Sequence, residues 1–201
     1  MTTTLFTNAH IATGEPGSTA ASTLPLQDIL VTDGVFPAFG PGLAQQYEAQ
    51  GGDLAAIEVV DLGGKLVCPP FCDTHLHLDY VFTARKPGAV NESGTLFEGI
   101  QRWSETKSDL TVDEIKQRAK IGIKKEMLHG VQLIRSHADV TDPNLTSLKA
   151  LLELKEELKD TVTLQIVSFP QEGMYSYEGP HGESGAELVE EGLKMGADCV
   201  G

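Results

Sequence analysis

The sequence predicts an α/β protein in which a small β unit, residues 1–66, precedes a series of βα units over residues 67–201. Three observations carry that expectation. Short apolar runs fill the first part of the chain, separated by clusters of Gly, Pro, Ser and Asp. From Leu66 onward, strand-like apolar runs alternate with segments of helical periodicity, and helix start and stop signals fall between them. Parallel neighbours need a crossover connection, so this alternation implies a parallel sheet.

In the β unit the runs are Thr4-Leu-Phe-Thr-Asn-Ala-His-Ile11, Ile29-Leu-Val-Thr32, Val35-Phe36 and Ile57-Glu-Val-Val-Asp-Leu62. Their lengths and the turn residues between them are those of short strands joined by tight turns. Residues 66–74 are read as one extended strand that begins at Pro69-Pro70. Helical periodicity follows over residues 95–107. Thr111-Val-Asp-Glu114 is a capping box: the hydroxyl and the carboxylate satisfy backbone amides that a helix start leaves unpaired. It opens a helix with Ile115, Ala119, Ile123 and Met127 on one face, and Gly130 can end it in the left-handed conformation.

Residues 131–137 are the next strand. Asp142-Pro143 reads as an N-cap followed by a proline suited to a first helical turn, with Leu145, Leu148, Leu152 and Leu158 as the apolar stripe. A strand is expected over residues 162–169. Ser184-Gly-Ala-Glu187 is a second capping box, Gly196 closes its helix, and residues 197–201 read as the start of one more strand. Three complete βα units and the opening of a fourth are therefore expected.

Composition bounds the function. The chain has 201 residues, 40% hydrophobic and 22% charged, which is ordinary globular material with enough length for a real core. A formal charge of −14 would repel phosphate backbones and anionic headgroups, so nucleic acid and membrane surfaces are excluded as expected partners. The first residues carry no basic or apolar leader pattern, and no apolar run reaches the roughly 18 residues of a membrane span. Three cysteines, Cys68, Cys72 and Cys199, fit reduced thiols, and a cytoplasmic location is expected.

The sharpest chemical feature is Asp73-Thr-His75-Leu-His77-Leu-Asp79 at the carboxyl end of the first βα strand. Residues two apart on a strand project to one side, so His75 and His77 can present two imidazole nitrogens to one metal ion. Strand ends are also where βα architectures build their sites. A structural zinc site with Cys68 and Cys72 is rejected: the consecutive prolines keep that segment extended and place the thiols more than roughly 10 Å apart. Both cysteines are read as small buried hydrophobes. His181-Gly-Glu183 is read as a polar loop before a helix cap. His137, at the end of the second strand, is read as a packed, hydrogen-bonded histidine, a place facing the site being the other option. After the third strand, Pro170 and Gly173 force a turn that could hold the Gln171 amide over the same strand ends. A carboxamide offers both acceptor and donors, which suits a cyclic amide or amidine.

Val67-Cys-Pro-Pro-Phe-Cys-Asp-Thr-His-Leu-His-Leu-Asp79, Ser93-Gly-Thr-Leu-Phe-Glu-Gly99, Arg135-Ser-His-Ala-Asp-Val140 and Phe169-Pro-Gln-Glu-Gly173 resemble, in order and spacing, the front half of the bacterial cytosine deaminases of the amidohydrolase superfamily. The resemblance implies a metal-dependent (β/α)8 barrel preceded by a β-sandwich segment, with residues 67–201 supplying roughly half of the barrel. It implies that His75 and His77 are metal ligands, that Gln171 binds the pyrimidine amide edge and that Leu96 helps wall the ring. It further implies one divalent iron or zinc ion per complete site, a small cytosine-like substrate and hydrolytic release of ammonia, with a homo-oligomeric full-length form left open.

The family's remaining metal ligands and proton-shuttling residues lie on later strands, so no complete catalytic set is expected here, and the 201-residue chain alone is expected to be inactive. Two other readings stand beside this one. One is a relative acting on a triazine or purine-like base. The other is a non-catalytic or partner-completed α/β protein, motivated by the open edge of its fourth strand.

Overall fold

A computed structural model describes residues 2–12 and 24–201 of the chain. They form two compact units, Met1–Pro69 and Pro70–Gly201. The Gly-, Pro- and Ser-bearing stretch between residues 13 and 23, expected to turn, lies outside the described residues.

The first unit is built on β1 (Thr3–Ile11), with β2 (Leu26–Thr32) antiparallel to it and β3 (Val35–Gly40) antiparallel to β2. Asp33 and Gly34 both adopt positive φ in the two-residue connection from β2 to β3, a backbone whose twist matches paired strands. β4 (Glu58–Asp61) and β5 (Leu66–Val67) both run parallel to β1, one beyond the other, completing a single sheet. The β1–β2 register shifts between Phe6 and Ala9, where Asn8 has φ 58°. That bulge is held by Asp28, which accepts from the Asn8 amide at 3.3 Å, and by the Asn8 side chain donating to Asp61 at 2.9 Å. Leu5, Ala9, Ile29 and Leu43 are its buried apolar residues.

A helix absent from the sequence expectation, α1 (Leu43–Ala49), follows β3. Its N-cap is Gly42 in the left-handed region with no side-chain cap, so the usual start signal is missing; Asp28 from the sheet accepts from the Leu43 amide instead.

The second unit contains the parallel sheet β6 (Phe71–Leu76), β7 (Val131–Asp139), β8 (Thr163–Phe169) and β9 (Cys199–Val200), in that spatial order. The crossovers carry α2 (Leu96–Lys107) and α3 (Val112–Leu128), then α4 (Thr146–Glu157), then α5 (Gly185–Met195). Both expected capping boxes are present at Thr111 and Ser184, and Gly130 and Gly196 have positive φ beyond their helices. Ile115, Ala119 and Ile123 of α3 and Leu148, Leu151 and Leu154 of α4 share one core with Ile134, Leu164 and Ile166 of the strands.

Four expectations change. The extended run 66–74 divides: Leu66–Val67 pairs with β1, and the strand of the parallel sheet begins at Phe71, after the prolines. The Asp142-Pro143 start also moves: α4 begins at Thr146 behind Leu145, whose φ is 49°. Asp142 still serves the helix, accepting from the amides of Asn144 and Thr146 at 3.0 Å each. The α4 stripe is centred on Leu148, Leu151 and Leu154, with Leu152 and Leu158 only partly buried. Finally, Cys68 and Cys72 are exposed, not buried. Cys72 is paired with Leu133, itself 41% exposed, while the Ile134 row on the other side of the sheet packs under the helices.

Candidate active site

Parallel strands bring their carboxyl ends to one edge, and at that edge the structure assembles His75 from β6, His77 just beyond it, His137 from β7, and Phe169 and Gln171 at and after the end of β8. They meet the first turns of α2 around a cavity of about 610 Å³ lined by His75, His77, Leu96, Trp103, Phe169 and Gln171. That volume suits a small heterocycle.

The His-x-His segment leaves the sheet in a defined way. The β6–β7 register breaks between Asp73 and Leu76, and Asp73 accepts from the His75 amide at 3.0 Å. The rings of His75 and His77 then lie 5.3 Å apart, centroid to centroid. His77 is placed between Tyr80, stacked at 4.6 Å, and the edge of Phe169. Its Nδ1 lies 3.2 Å from the backbone carbonyl of His137. Donation from Nδ1 fixes the tautomer and leaves Nε2 with a free lone pair. Burial, then the neighbouring His137 and His75, pushes its pKa down to about 4, so the ring is neutral at neutral pH.

His137 combines the two readings of the sequence: it is buried, and it faces His75 and His77. It is packed, stacked on His75 at 4.1 Å and edge-on to Phe169, yet its buried Nδ1 has no hydrogen-bond partner. Strand alternation explains this: His137 shares the side of β7 that carries Leu133 and Arg135, which no described helix covers. His181 and Glu183 stand apart in their own loop, where Glu183 accepts from the His181 amide. Leu96, 75% exposed, lines the mouth of the cavity.

Beneath the cavity lies a polar cluster that sequence reasoning missed. Asp139 is fully buried at the end of β7 and accepts from Trp103 Nε1 at 2.7 Å, Lys107 Nζ at 3.0 Å, the Thr141 amide at 2.8 Å and the Thr141 hydroxyl at 2.6 Å. Its own amide donates to Asp79, also fully buried, at 2.9 Å. Burial raises the Asp79 carboxyl to about 7. The Gln171 amide donates to Phe169 O at 3.1 Å and more weakly to Asp139 at 3.4 Å. The sequence signals were slight, Asp139 standing just beyond the strand expected over residues 131–137 and within the Arg135–Val140 segment, and its partners are too far away in the chain to leave more.

His77 offers a neutral imidazole whose Nε2 is left free, and His75 lies beside it, but the two are a partial donor set. Among the described residues no group of three or more His, Cys, Asp and Glu side chains is arranged to hold an ion.

Comparison with known proteins gives the setting. The profile of the amidohydrolase family matches residues 58–195. N-isopropylammelide isopropyl amidohydrolase of Pseudomonas sp. (strain ADP) is 35% identical over 146 residues, covering 71% of this chain and 35% of that protein. Pterin deaminase of Rhizobium rhizogenes is 27% identical over 152 residues, covering 73% and 32%. The chain thus spans about a third of the length of the curated relatives it matches. Among solved structures, 5-methylcytosine deaminase from Klebsiella pneumoniae bound to 5-fluorocytosine superposes with a TM-score of 0.78 at 39% identity, covering 98% of this chain and 42% of that one.

Proposed function

Because the chain belongs to the amidohydrolase family, we infer that it forms the front portion of a metal-dependent hydrolase that removes the amino group from cytosine or a closely related amino-substituted ring. The observation that carries this reading is the His75–His77 pair beside Gln171 in one cavity, with His77 locked by the His137 carbonyl. An iron or zinc ion held by His75 and His77 would supply an activated water for attack on the ring carbon bearing the amino group.

The chain's own residues account for binding. Gln171 offers one acceptor and two donors to an amide or amidine edge. Leu96, Phe169 and Trp103 present apolar surface to the ring faces and keep bulk water from them. His77 is neutral at working pH and so ready as a ligand without first losing a proton.

Substrate choice is tested in a chain of the relatives' full length by following ammonia release from cytosine and 5-methylcytosine and amine release from N-isopropylammelide. Preference for the first two supports the cytosine reading, whereas turnover of the third alone assigns the chain to the other ring class, which the 35% identical relative favours. The 201 residues by themselves are expected to hold iron or zinc substoichiometrically and to release no ammonia, because two imidazoles fall short of the three or four ligands of a stable site. Stoichiometric metal together with turnover would overturn that expectation.

A further inference from the structure

We propose that Lys107 is a positioning residue that sets the orientation of Gln171 by clamping the 169–173 turn to α2 and to the end of β7. The inference rests on reading Gln171 as the residue that meets the substrate ring. Three observations carry it.

Lys107 closes α2, and its side chain is only 10% exposed. An ammonium has three N–H donors, and here each has its own oxygen: Asp139 at 3.0 Å, Thr141 Oγ1 at 2.9 Å and Glu172 Oε1. The partners belong to the end of β7, the segment after it and the turn after β8, so one side chain joins three parts of the cavity floor. The carboxylate it holds on the turn is that of Glu172, next in sequence to Gln171. Glu172 also accepts from Ser104, one helical turn before Lys107.

The turn has no slack at its other end. Gly173 lies against Gly185 at the start of α5, where a Cβ would stand 2.2 Å from the Gly173 carbonyl oxygen. Ser176 donates to the Glu172 carbonyl at 2.8 Å. Gln171, whose own amide donates to Phe169 O and to the Asp139 that Lys107 holds, is thus bracketed by the Gly173 backbone contact on one side and the ammonium on the other.

Charge makes the clamp specific. Asp139 and Glu172 share this single cation, and Asp139 is buried. Replacing the ammonium by a methyl thioether leaves two carboxylates facing each other in a poorly screened space. Glu172, 29% exposed, is the one free to move toward water. Its movement would carry Gln171 with it.

The test is amide hydrogen exchange at Gln171 and Gly173 in the 201-residue chain, without metal or substrate, so the result stands whether or not the deaminase reading does. Lys107→Met is expected to accelerate exchange at both amides by about tenfold or more, with α3 and α4 unchanged. Adding Glu172→Gln removes the repulsion and is expected to recover part of that loss, which a mere packing role for the lysine stem would not allow. Unchanged exchange in Lys107→Met, or no recovery in the double variant, overturns the proposal. Should Lys107→Met also accelerate α3 and α4, the decision passes to Glu172→Ala, which detaches the turn while leaving Lys107 on Asp139. Faster exchange confined to the turn supports the clamp, and wild-type exchange there overturns it.

Discussion

Asp139 shows how much a single side chain can organise. Its two oxygens gather the Trp103 indole, the Lys107 ammonium and both donors of Thr141, and its amide is tied to Asp79. A buried carboxylate survives only when its lone pairs are filled in this way. The indole bond therefore has a measurable worth. Trp103→Phe keeps most of the ring packing but leaves Asp139 one donor short, and it is expected to destabilise the second unit by about 2 kcal/mol. Urea unfolding followed by circular dichroism checks this, since Trp103 is the sole tryptophan and fluorescence is lost with it. At this scale the gathering of His75, His77 and Gln171 at one edge was legible in the sequence, because each stands at or just after the carboxyl end of a strand whose apolar run the sequence marks. Lys107 and Glu172 were not: they are polar residues like many others until the fold brings them together across 65 positions.

Among the elements, the segment entering α2 ties local structure to the cavity. Glu98, in the first turn of that helix, accepts from the Ser93 amide at 2.6 Å and the Glu92 amide at 3.1 Å, folding residues 91–95 over the cavity mouth. Hydrogen bonds from Ser93, then from Glu92, hold the Glu98 carboxyl down at about 2. A carboxyl lowered on folding adds stability above its ordinary value of 4.5, and the contribution fades as pH falls from there toward about 2. Exchange at the Ser93 amide, corrected for its intrinsic pH dependence, is thus expected to stay slow at pH 6 and to lose protection progressively below about 4.5. Glu98→Gln should show the loosened state at every pH. A flat profile in the wild type would count against this account. Helix starts at Thr111 and Ser184 were readable because a capping box is complete within four residues. The start of α1 was not, since its donor is satisfied by Asp28 from another strand.

For the molecule as a whole, the two units each carry their own buried apolar residues, and the second holds the larger core. Leu151 is fully buried in α4 among the strands' apolar side chains. Leu151→Ala is expected to cost about 2–5 kcal/mol in the unfolding of that unit, measured by denaturant titration. Among the described residues no helix is long and apolar enough to cross a membrane. By itself the sequence determined the α/β order, the helix boundaries marked by their own caps and the placement of His75, His77 and Gln171 at strand ends. These follow from backbone periodicity and from hydrogen bonds that close within a few residues. Only the tertiary structure decided that His137 packs against His75, that Cys72 is exposed and that Lys107 and Asp139 underlie Gln171. Those outcomes depend on which residues face one another when distant strands align in parallel, and local chain chemistry does not encode that facing.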